Sequence, residues 1–509
     1  MTKKIQSALI SVFHKDGLDD ILPLLQQSDI KVYSTGGTQA LLEKAGIKVH
    51  SVESLTTYPS ILDSRVKTLH PKVFGGILAK REDDHLGQLA KYDIPELDLV
   101  VVDLYPFEET LKNTDDESTI IEKIDIGGIS LIRAAAKNFK DVVVIPSKDQ
   151  YGDLHKILAE HGGTTDVVER KRLAMKAFQV SSHYDSCIFN YFNEPFGDKA
   201  HLKVSMAEGQ SLRYGENPHQ TADYYGDLSQ EFDILNGKAL SYNNLVDIDS
   251  AIDLIREFKE EDGVTFAILK HTNSCGVAIR STVLESYRAA LAGDPISAFG
   301  GILICTHPID LATAQEIDQQ FYEVLIAPDF DEEALTLLRK KKNRRLLKRT
   351  TDQPAHLKIK TLLGGVIAQA ADLTIERKED IEVVTQRQPT SDEVTQLLLA
   401  NKIVKHLKSN TIVLAKDDQL IGMGCGQTSR VDACKQAIDK AKRMGFDVAG
   451  AVMASDAFFP FPDCVQLAHE AGVMAVIQPG GSIKDKLSVE YCDAHNMAMV
   501  MTGVRHFKH

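Results

Sequence analysis

The sequence contains no Cys-x-x-Cys pair, no tryptophan and no apolar run approaching the ~20 residues a membrane helix needs. Its cysteines number seven, an odd count. Together with the missing Cys-x-x-Cys pair, this argues against a disulfide framework or a zinc ribbon and for reduced thiols in a cytoplasmic protein. No membrane partner is expected. The N-terminal MTKKIQSALISVFHK has too short an apolar stretch for a signal peptide and no small-residue cleavage site. Positive charge is in deficit, with 58 Lys and Arg against 72 Asp and Glu and a net charge of −14. That balance argues against a general nucleic-acid partner but leaves room for small anionic substrates at local Lys/Arg clusters. The missing tryptophan excludes nothing.

What is present is an ordinary globular composition, 43% hydrophobic and 26% charged, on 509 residues, too many for one core. Apolar runs at 5–13, 30–34, 97–104 and 141–145 alternate with helical patterns at 17–27 and 38–45. Strands without a polar face predict a parallel sheet covered on both sides. This pattern runs to about residue 192. The Gly-, Pro- and charge-rich stretch 193–210 reads as a linker. A second block follows, with strands expected near 264–269, 300–305, 364–368, 411–415, 449–453 and 473–477. The basic run 340–348 reads as a solvated helix face or loop. No short repeat is evident.

Four polar clusters mark the first block. Ser34-Thr35-Gly36-Gly37-Thr38 lies between a strand and a helix, where free N–H groups and the dipole favour a phosphate. Arg65-Val66-Lys67-Thr68-Leu69-His70-Pro71 puts two cations and a hydroxyl in one segment. Asp103-Leu104-Tyr105-Pro106-Phe107 closes a buried strand, where ligand-facing residues of open α/β sheets lie. Asp125-Ile126-Gly127-Gly128 leads into a helix bearing Lys137 and Asn138, and folding could bring Asp125 and Lys137 together.

The second block opens with Arg213-Tyr214-Gly215-Glu216-Asn217-Pro218-His219-Gln220, dense in polar donors. Lys270-His271-Thr272-Asn273-Ser274-Cys275-Gly276 follows the apolar run VTFAIL. His serves as a general base near neutral pH, and an adjacent ammonium disfavours a second positive charge on the ring. Ser297-Ala298-Phe299-Gly300-Gly301 ends at another strand, and Ser409-Asn410 precedes TIVLA. Gly422-Met423-Gly424-Cys425-Gly426 fails the G-x-G-x-x-G dinucleotide fingerprint, so a helix-entry loop aiming Arg430 at a ligand fits better. Phe458-Phe459-Pro460-Phe461-Pro462-Asp463 presents aromatic faces beside a carboxylate, and Gln478-Pro479-Gly480-Gly481-Ser482 forms another strand-to-helix turn.

In order, RVKTLHP, LYPF, DIGG to AAAKN, RYGENPHQ, KHTNSCG, SAFGG, GCGQTSR and FFPFPD give the chain a close resemblance to the bifunctional phosphoribosylaminoimidazolecarboxamide (AICAR) formyltransferase/IMP cyclohydrolase family of purine biosynthesis. The resemblance covers almost the whole chain. It implies a methylglyoxal-synthase-like α/β/α domain at 1–199 as the cyclohydrolase. It also implies a formyltransferase at 200–509 made of two cytidine-deaminase-like α/β units, split near 350–385. The zinc signature of true deaminases, H-x-E with P-C-x-x-C, is missing, so no catalytic metal is expected, though a structural potassium ion is compatible with the family.

By the same resemblance, formyl passes from 10-formyltetrahydrofolate to AICAR with His271 as base. Lys270 acts on the oxyanion or folate nitrogen, and Asn410 orients the groups. Arg213, Tyr214, Arg430 and Arg505 hold the ribotide, and Asp463 faces the folate. In the cyclisation of formyl-AICAR (FAICAR) to IMP, Lys137 and Asp125 are the acid–base pair with Tyr105 beside them. Lys15, Ser34, Gly36, Gly37, Thr38, Arg65, Lys67 and Thr68 grip phosphate and oxyanion. A homodimer is implied. Three residues depart from the family pattern: Phe13 and Asp103 in the first block and Ser274 in the second. The alternative is a monofunctional formyltransferase with a ribotide-binding regulatory N-terminal domain. A non-catalytic ribotide-binding protein would not need the KH pair.

Overall fold

The computed structural model describes residues 2–62, 65–206, 209–259 and 262–509. Two residues of the expected linker, 207 and 208, lie outside this description. The chain divides into two compact units, 1–208 and 209–509.

The first unit is a five-stranded parallel sheet: β1 (Ser7–Ser11), β2 (Lys31–Ser34), β3 (Val49–Ser51), β4 (Leu99–Val102) and β5 (Val143–Ile145). The spatial order is β3-β2-β1-β4-β5. Strand β4 reads LVVV and is buried throughout, which requires cover on both faces. Helix α1 (Gly36–Lys44) follows β2, α2 (Gly127–Lys137) precedes β5, and α3 (Val167–Asn193) packs along α2 and β5. Leu9, Val100, Val144, Ile132 and Leu173 are among the buried core, each contributing roughly 1.5–3 kcal/mol by leaving water. The strand order reverses between β1 and β4. A parallel sheet opens a crevice at that point, beyond the carboxyl ends of the strands.

The second unit contains a twelve-stranded mixed sheet. Its first half comprises β6 (Phe232–Asn236), β7 (Val264–Lys270), β8 (Asn273–Arg280), β9 (Ile302–Cys305), β10 (Val324–Ala327) and β11 (Arg345–Arg349). The other half comprises β12 (Glu382–Val383), β13 (Ile412–Lys416), β14 (Gln419–Gly424), β15 (Val452–Ser455), β16 (Ala475–Gln478) and β17 (Ala498–Met501). Read outward from the β8–β14 seam, the halves run β8-β7-β9-β10-β11-β6 and β14-β13-β15-β16-β17-β12, with the same alternation of parallel and antiparallel neighbours. Helices α4 (Tyr242–Ile255) and α5 (Val283–Gly293) of the first half match α6 (Ser391–Lys405) and α7 (Arg430–Arg443) of the second. The unit is a duplication of about 150 residues. No short sequence repeat betrays it because the copies share periodicity and topology, not residue identities.

Glycine marks the equivalent crossing in each copy. A Cβ on Gly276 of β8 would stand 1.7 Å from the Ala290 carbonyl of α5, and one on its counterpart Gly422 of β14 would stand 2.3 Å from the Ala437 carbonyl of α7, with Gly424 two residues on equally close, at 2.1 Å from the Ala433 carbonyl. The G-x-G-x-G run is therefore a strand under a close-packed helix through Gly424, turning into a loop only at Cys425. One other expectation is corrected: part of the basic run 340–348 is strand β11, whose Leu346 and Leu347 are fully buried between flanking cations. The expected strand near 364–368 is present as Gly365–Ala370, which pairs with Leu357–Leu362 in a hairpin outside the twelve-stranded sheet and is exposed along its length.

Candidate active sites

In the first unit, a cleft of about 540 Å³ opens at the strand-order reversal. Lys15, Gly36, Gly37, Thr38, Arg65, Lys67, Thr68, Tyr105 and Asp125 line it. Gly36 has φ +48, a conformation that glycine adopts without strain, and it opens α1. Thr35 does not cap α1 with its side chain; its hydroxyl pairs with Ser11 at 3.1 Å, so the first N–H groups of the helix face the cleft. Lys67 Nζ lies 3.5 Å from where a Gly36 Cβ would stand, and Lys15 Nζ 3.9 Å from a Gly37 Cβ. Two ammonium groups and a helix N-terminus thus converge on one spot, the chemistry of a phosphate site.

Asp125 lies across the cleft, buried just before α2. Its Oδ1 accepts the Gly128 N–H at 2.7 Å, and its own N–H donates to the Tyr184 hydroxyl at 2.8 Å. Burial pushes the carboxyl above the usual range, against the pull of the Gly128, Tyr105 and Gly127 N–H groups. Burial and the charge of Asp125 likewise raise the Tyr105 phenol. Asp103 spends both oxygens on the neighbouring loop. Oδ1 accepts from Phe13 N, and Oδ2 takes His14 N at 3.0 Å and His14 Nδ1 at 2.6 Å. Asp103 still lines the cleft, but its carboxylate is engaged by these donors. Phe13 packs edge-on against Tyr105 as a cleft wall.

Not every expected residue joins this cleft. Ser34 is fully buried and donates to the Ile10 carbonyl at 2.6 Å, a bond between neighbouring strands. Lys137 is exposed at the last turn of α2, about 16 Å of helix away from the Asp125 end for 11 residues. The fold does not bring Lys137 and Asp125 together. Arg65 pairs with Glu122, which sequence reading missed because 57 residues separate them.

In the second unit, Lys270 ends β7 and His271-Thr272 form a two-residue turn into β8, with Lys270 opposite Asn273. Both turn residues have positive φ, 53 and 62, where Asn-Gly is the usual occupant. The Thr272 N–H is anchored by Asp247 of α4 at 2.8 Å, and Lys270 Nζ donates to the Phe299 carbonyl at 2.8 Å. The imidazole of His271 is exposed at the tip. Arg213 lies over the Tyr214 ring at 5.5 Å, and Asn243 of α4 donates to the Glu216 carbonyl of the same loop.

A second cleft, of about 470 Å³, is lined by Asn410, Arg430, Asp463 and Arg505 with Phe458, Phe461 and Phe507. Arg430 donates to Asp456 at 2.5 Å and to Asn410 Oδ1 at 2.8 Å. Asn410 Nδ2 in turn donates to the carbonyls of Gln427 and Thr428. The amide is held in one orientation from both ends. Lys270, His271, Arg213 and Tyr214 do not line this cleft. Asp456, missed in the sequence, is the partner that turns Arg430 into an orienting group.

Known proteins resemble this chain along its whole length. Residues 135–440 match the family profile described as AICARFT/IMPCHase bienzyme, and residues 17–130 match the MGS-like domain. A Bacteroides thetaiotaomicron protein named bifunctional purine biosynthesis protein PurH is 56% identical, over 100% of this chain and 99% of the relative. Proteins of the same name from Caldicellulosiruptor saccharolyticus and Chlorobium phaeobacteroides are each 45% identical, covering 100% and 99% of this chain and 100% and 99% of their own. Among the described residues no helix is long and apolar enough to cross a membrane.

Proposed function

The chain belongs to the AICARFT/IMPCHase bienzyme family, and from that premise we propose how its two units divide the work. The protein transfers formyl from 10-formyltetrahydrofolate to AICAR in residues 209–509 and closes FAICAR to IMP in residues 1–208. A monofunctional formyltransferase is not favoured, because the relatives that match the full length are named as bifunctional and the first cleft keeps an ordered set of catalytic groups.

For the cyclisation, the single observation that carries the reading is the cleft that sets a buried carboxyl, whose burial raises its hold on a proton, across from a helix N-terminus flanked by Lys15 and Lys67. The phosphate is held by the Gly36–Thr38 backbone with Lys15 and Lys67. The carboxamide nitrogen attacks the formyl carbon. Lys67 and Thr68 stabilise the developing oxyanion, which takes the proton released by the attacking nitrogen to become a hydroxyl; Asp125, whose burial favours the protonated form, gives its proton as that hydroxyl leaves as water and regains one from the formamide N–H as the ring aromatises. Tyr105 orients the carboxamide. Arg65, paired with Glu122 at the mouth, closes over the phosphate when the ribotide enters. Lys67 takes the role that Lys137 was expected to fill.

For formyl transfer, His271 removes the proton from the AICAR amine as it attacks the formyl carbon. Lys270 and Asn410 meet the tetrahedral oxyanion. Arg213, Tyr214 and Arg505 hold the ribotide, while Arg430 holds Asn410, and Asp463 with the phenylalanines receives the folate. Two structural features support a homodimer that completes this site. Among the described residues, Lys270 and His271 are absent from the lining of the Asn410 cleft. In addition, the hairpin 357–370 projects Leu357, Ile359, Leu363, Val366 and Ile367 into solvent, with Leu363 at 99% exposure. A lone two-stranded hairpin is marginal in water and is stabilised by packing on a second copy.

Incubating the protein with AICAR and 10-formyltetrahydrofolate tests the reading. IMP formation, followed by absorbance, is expected. Accumulation of FAICAR would remove the cyclohydrolase, no turnover would remove the formyltransferase, and failure to close pre-formed FAICAR would remove the cyclohydrolase as well.

A further inference from the structure

Behind the cyclohydrolase cleft, three side chains with different donor atoms face one another. Glu108 is on the helix Phe107–Asn113, and His183 and Cys187 are one turn apart on the same face of α3. His183 Nε2 is 3.0 Å from Glu108 Oε1 and 3.8 Å from Cys187 Sγ, and all three donor atoms lie within 4.8 Å of one another. The other ring nitrogen, Nδ1, is engaged by Ser205 Oγ at 2.8 Å.

We propose that Glu108, His183 and Cys187 bind a zinc-class divalent cation with a fourth position open to water. The spacing suits the ion. Ligand bonds of about 2.0–2.3 Å at tetrahedral angles put neighbouring donor atoms roughly 3.3–3.7 Å apart, so only small side-chain shifts are needed. The donor set of one sulfur, one nitrogen and one oxygen selects a borderline-soft ion over magnesium or calcium, which take oxygen alone. Ser205 supplies the outer bond that fixes which imidazole nitrogen faces the metal. Phe107, Tyr184, Ile188 and Tyr191 give the site an apolar surround.

The position gives the ion something to fasten. Glu108 follows Tyr105 by three residues, and His183 precedes Tyr184, whose hydroxyl holds the Asp125 backbone. A bound ion ties the helix that follows the Tyr105 wall to α3, whose Tyr184 holds the backbone of the acid. The spacing His-x-x-x-Cys is visible in the sequence, but the third ligand is 75 residues upstream and only the fold reveals it.

The test uses untagged full-length protein, stripped with chelator and titrated with Co²⁺. A sulfur-to-cobalt charge-transfer band saturating at one ion per chain, displaced by Zn²⁺, is expected, with a rise in the first unfolding transition on adding Zn²⁺. Cys187→Ser abolishes the band. Glu108→Gln, at an exposed position that folding does not depend on, weakens Co²⁺ at least ~10-fold, in the range metal-site losses take. Absence of a sulfur band, or a band that persists in Cys187→Ser, overturns the site.

Discussion

The Tyr184 hydroxyl bridges Asp125 and Lys123: it accepts the Asp125 N–H at 2.8 Å and donates to the Lys123 carbonyl at 2.6 Å. One phenol on the long C-terminal helix of the first unit thus fixes the segment that enters α2. Tyr184→Phe removes both bonds and leaves a buried N–H unpaired. A loss of about 1–3 kcal/mol is expected in denaturant unfolding of the first unit. Cyclohydrolase turnover falls and formyl transfer stays at the wild-type rate. Parallel losses in both activities would mean that Tyr184 serves only the fold.

Asp125→Asn separates activity from stability. Loss of the proton donor lowers FAICAR cyclisation by at least ~10²-fold. The carboxyl is raised in the folded state by burial, so its contribution to stability is fully present below the unfolded carboxyl range and is lost as pH rises through the raised value. Above that raised value burial makes the ionised group a cost, and there the amide melts higher than wild type. Calorimetry from acid to neutral pH should show the mutant's advantage growing with pH. An advantage that shrinks would reverse the assignment.

Lys67 and Lys137 make a paired test. Lys67→Ala removes an ammonium beside Gly36 and is expected to raise KM for FAICAR and lower kcat by ~10²-fold or more. Lys137→Ala removes an exposed cation from the C-terminal turn of α2, costing about 0.3–1 kcal/mol of dipole interaction and little turnover. Steady-state kinetics on pre-formed FAICAR distinguish the two. A larger effect at Lys137 would return the catalytic cation to that residue.

His271→Ala is expected to abolish formyl transfer, by ~10²-fold or more, while pre-formed FAICAR is cyclised normally. The imidazole is exposed, so the fold is not at risk. Near-normal formyl transfer would sink its role as base.

His506 gives the second unit a pH limit. It is buried near the C-terminus between Asp372 at 2.7 Å and Glu376 at 2.9 Å. Burial alone would lower the imidazole, but the bonds to the two carboxylates overcome it and push the group up to about 9. A raised folded-state value means stabilisation that is complete below about 6.5 and is lost as pH rises through about 9. Thermal melts of the second unit should fall across that window, and His506→Gln should flatten the slope. An unchanged slope in the mutant would assign the pH dependence elsewhere.

The legible parts of this molecule were local. Buried strands such as Leu99–Val102 and Ile412–Lys416 announce themselves as apolar runs, and Gly36-Gly37 announces the start of α1. What escaped depended on neighbours distant in sequence. Strand β11 hides in a basic run because its cations flank the sheet while Leu346 and Leu347 enter it. Strand β8 hides because Gly276 is dictated by α5, not by strand propensity. Asp103 looked like a hazard to phosphate until the fold placed His14 against it. The Asp125–Lys137 pairing failed for a geometric reason: a straight helix keeps its two ends apart.

The second unit also contains its own control. The turn Asp417-Asp418 between β13 and β14 repeats the backbone of His271-Thr272, with φ 52 at both residues. Gln396 on α6 anchors it through the Asp418 N–H, as Asp247 on α4 anchors Thr272. One ancestral loop has thus been inherited twice and has diverged in its side chains alone. The scaffold is neutral with respect to chemistry. One tip carries an imidazole and the other two acids, so a single substitution, Asp417→His, would place an imidazole on both turns at a position whose backbone already matches that of His271.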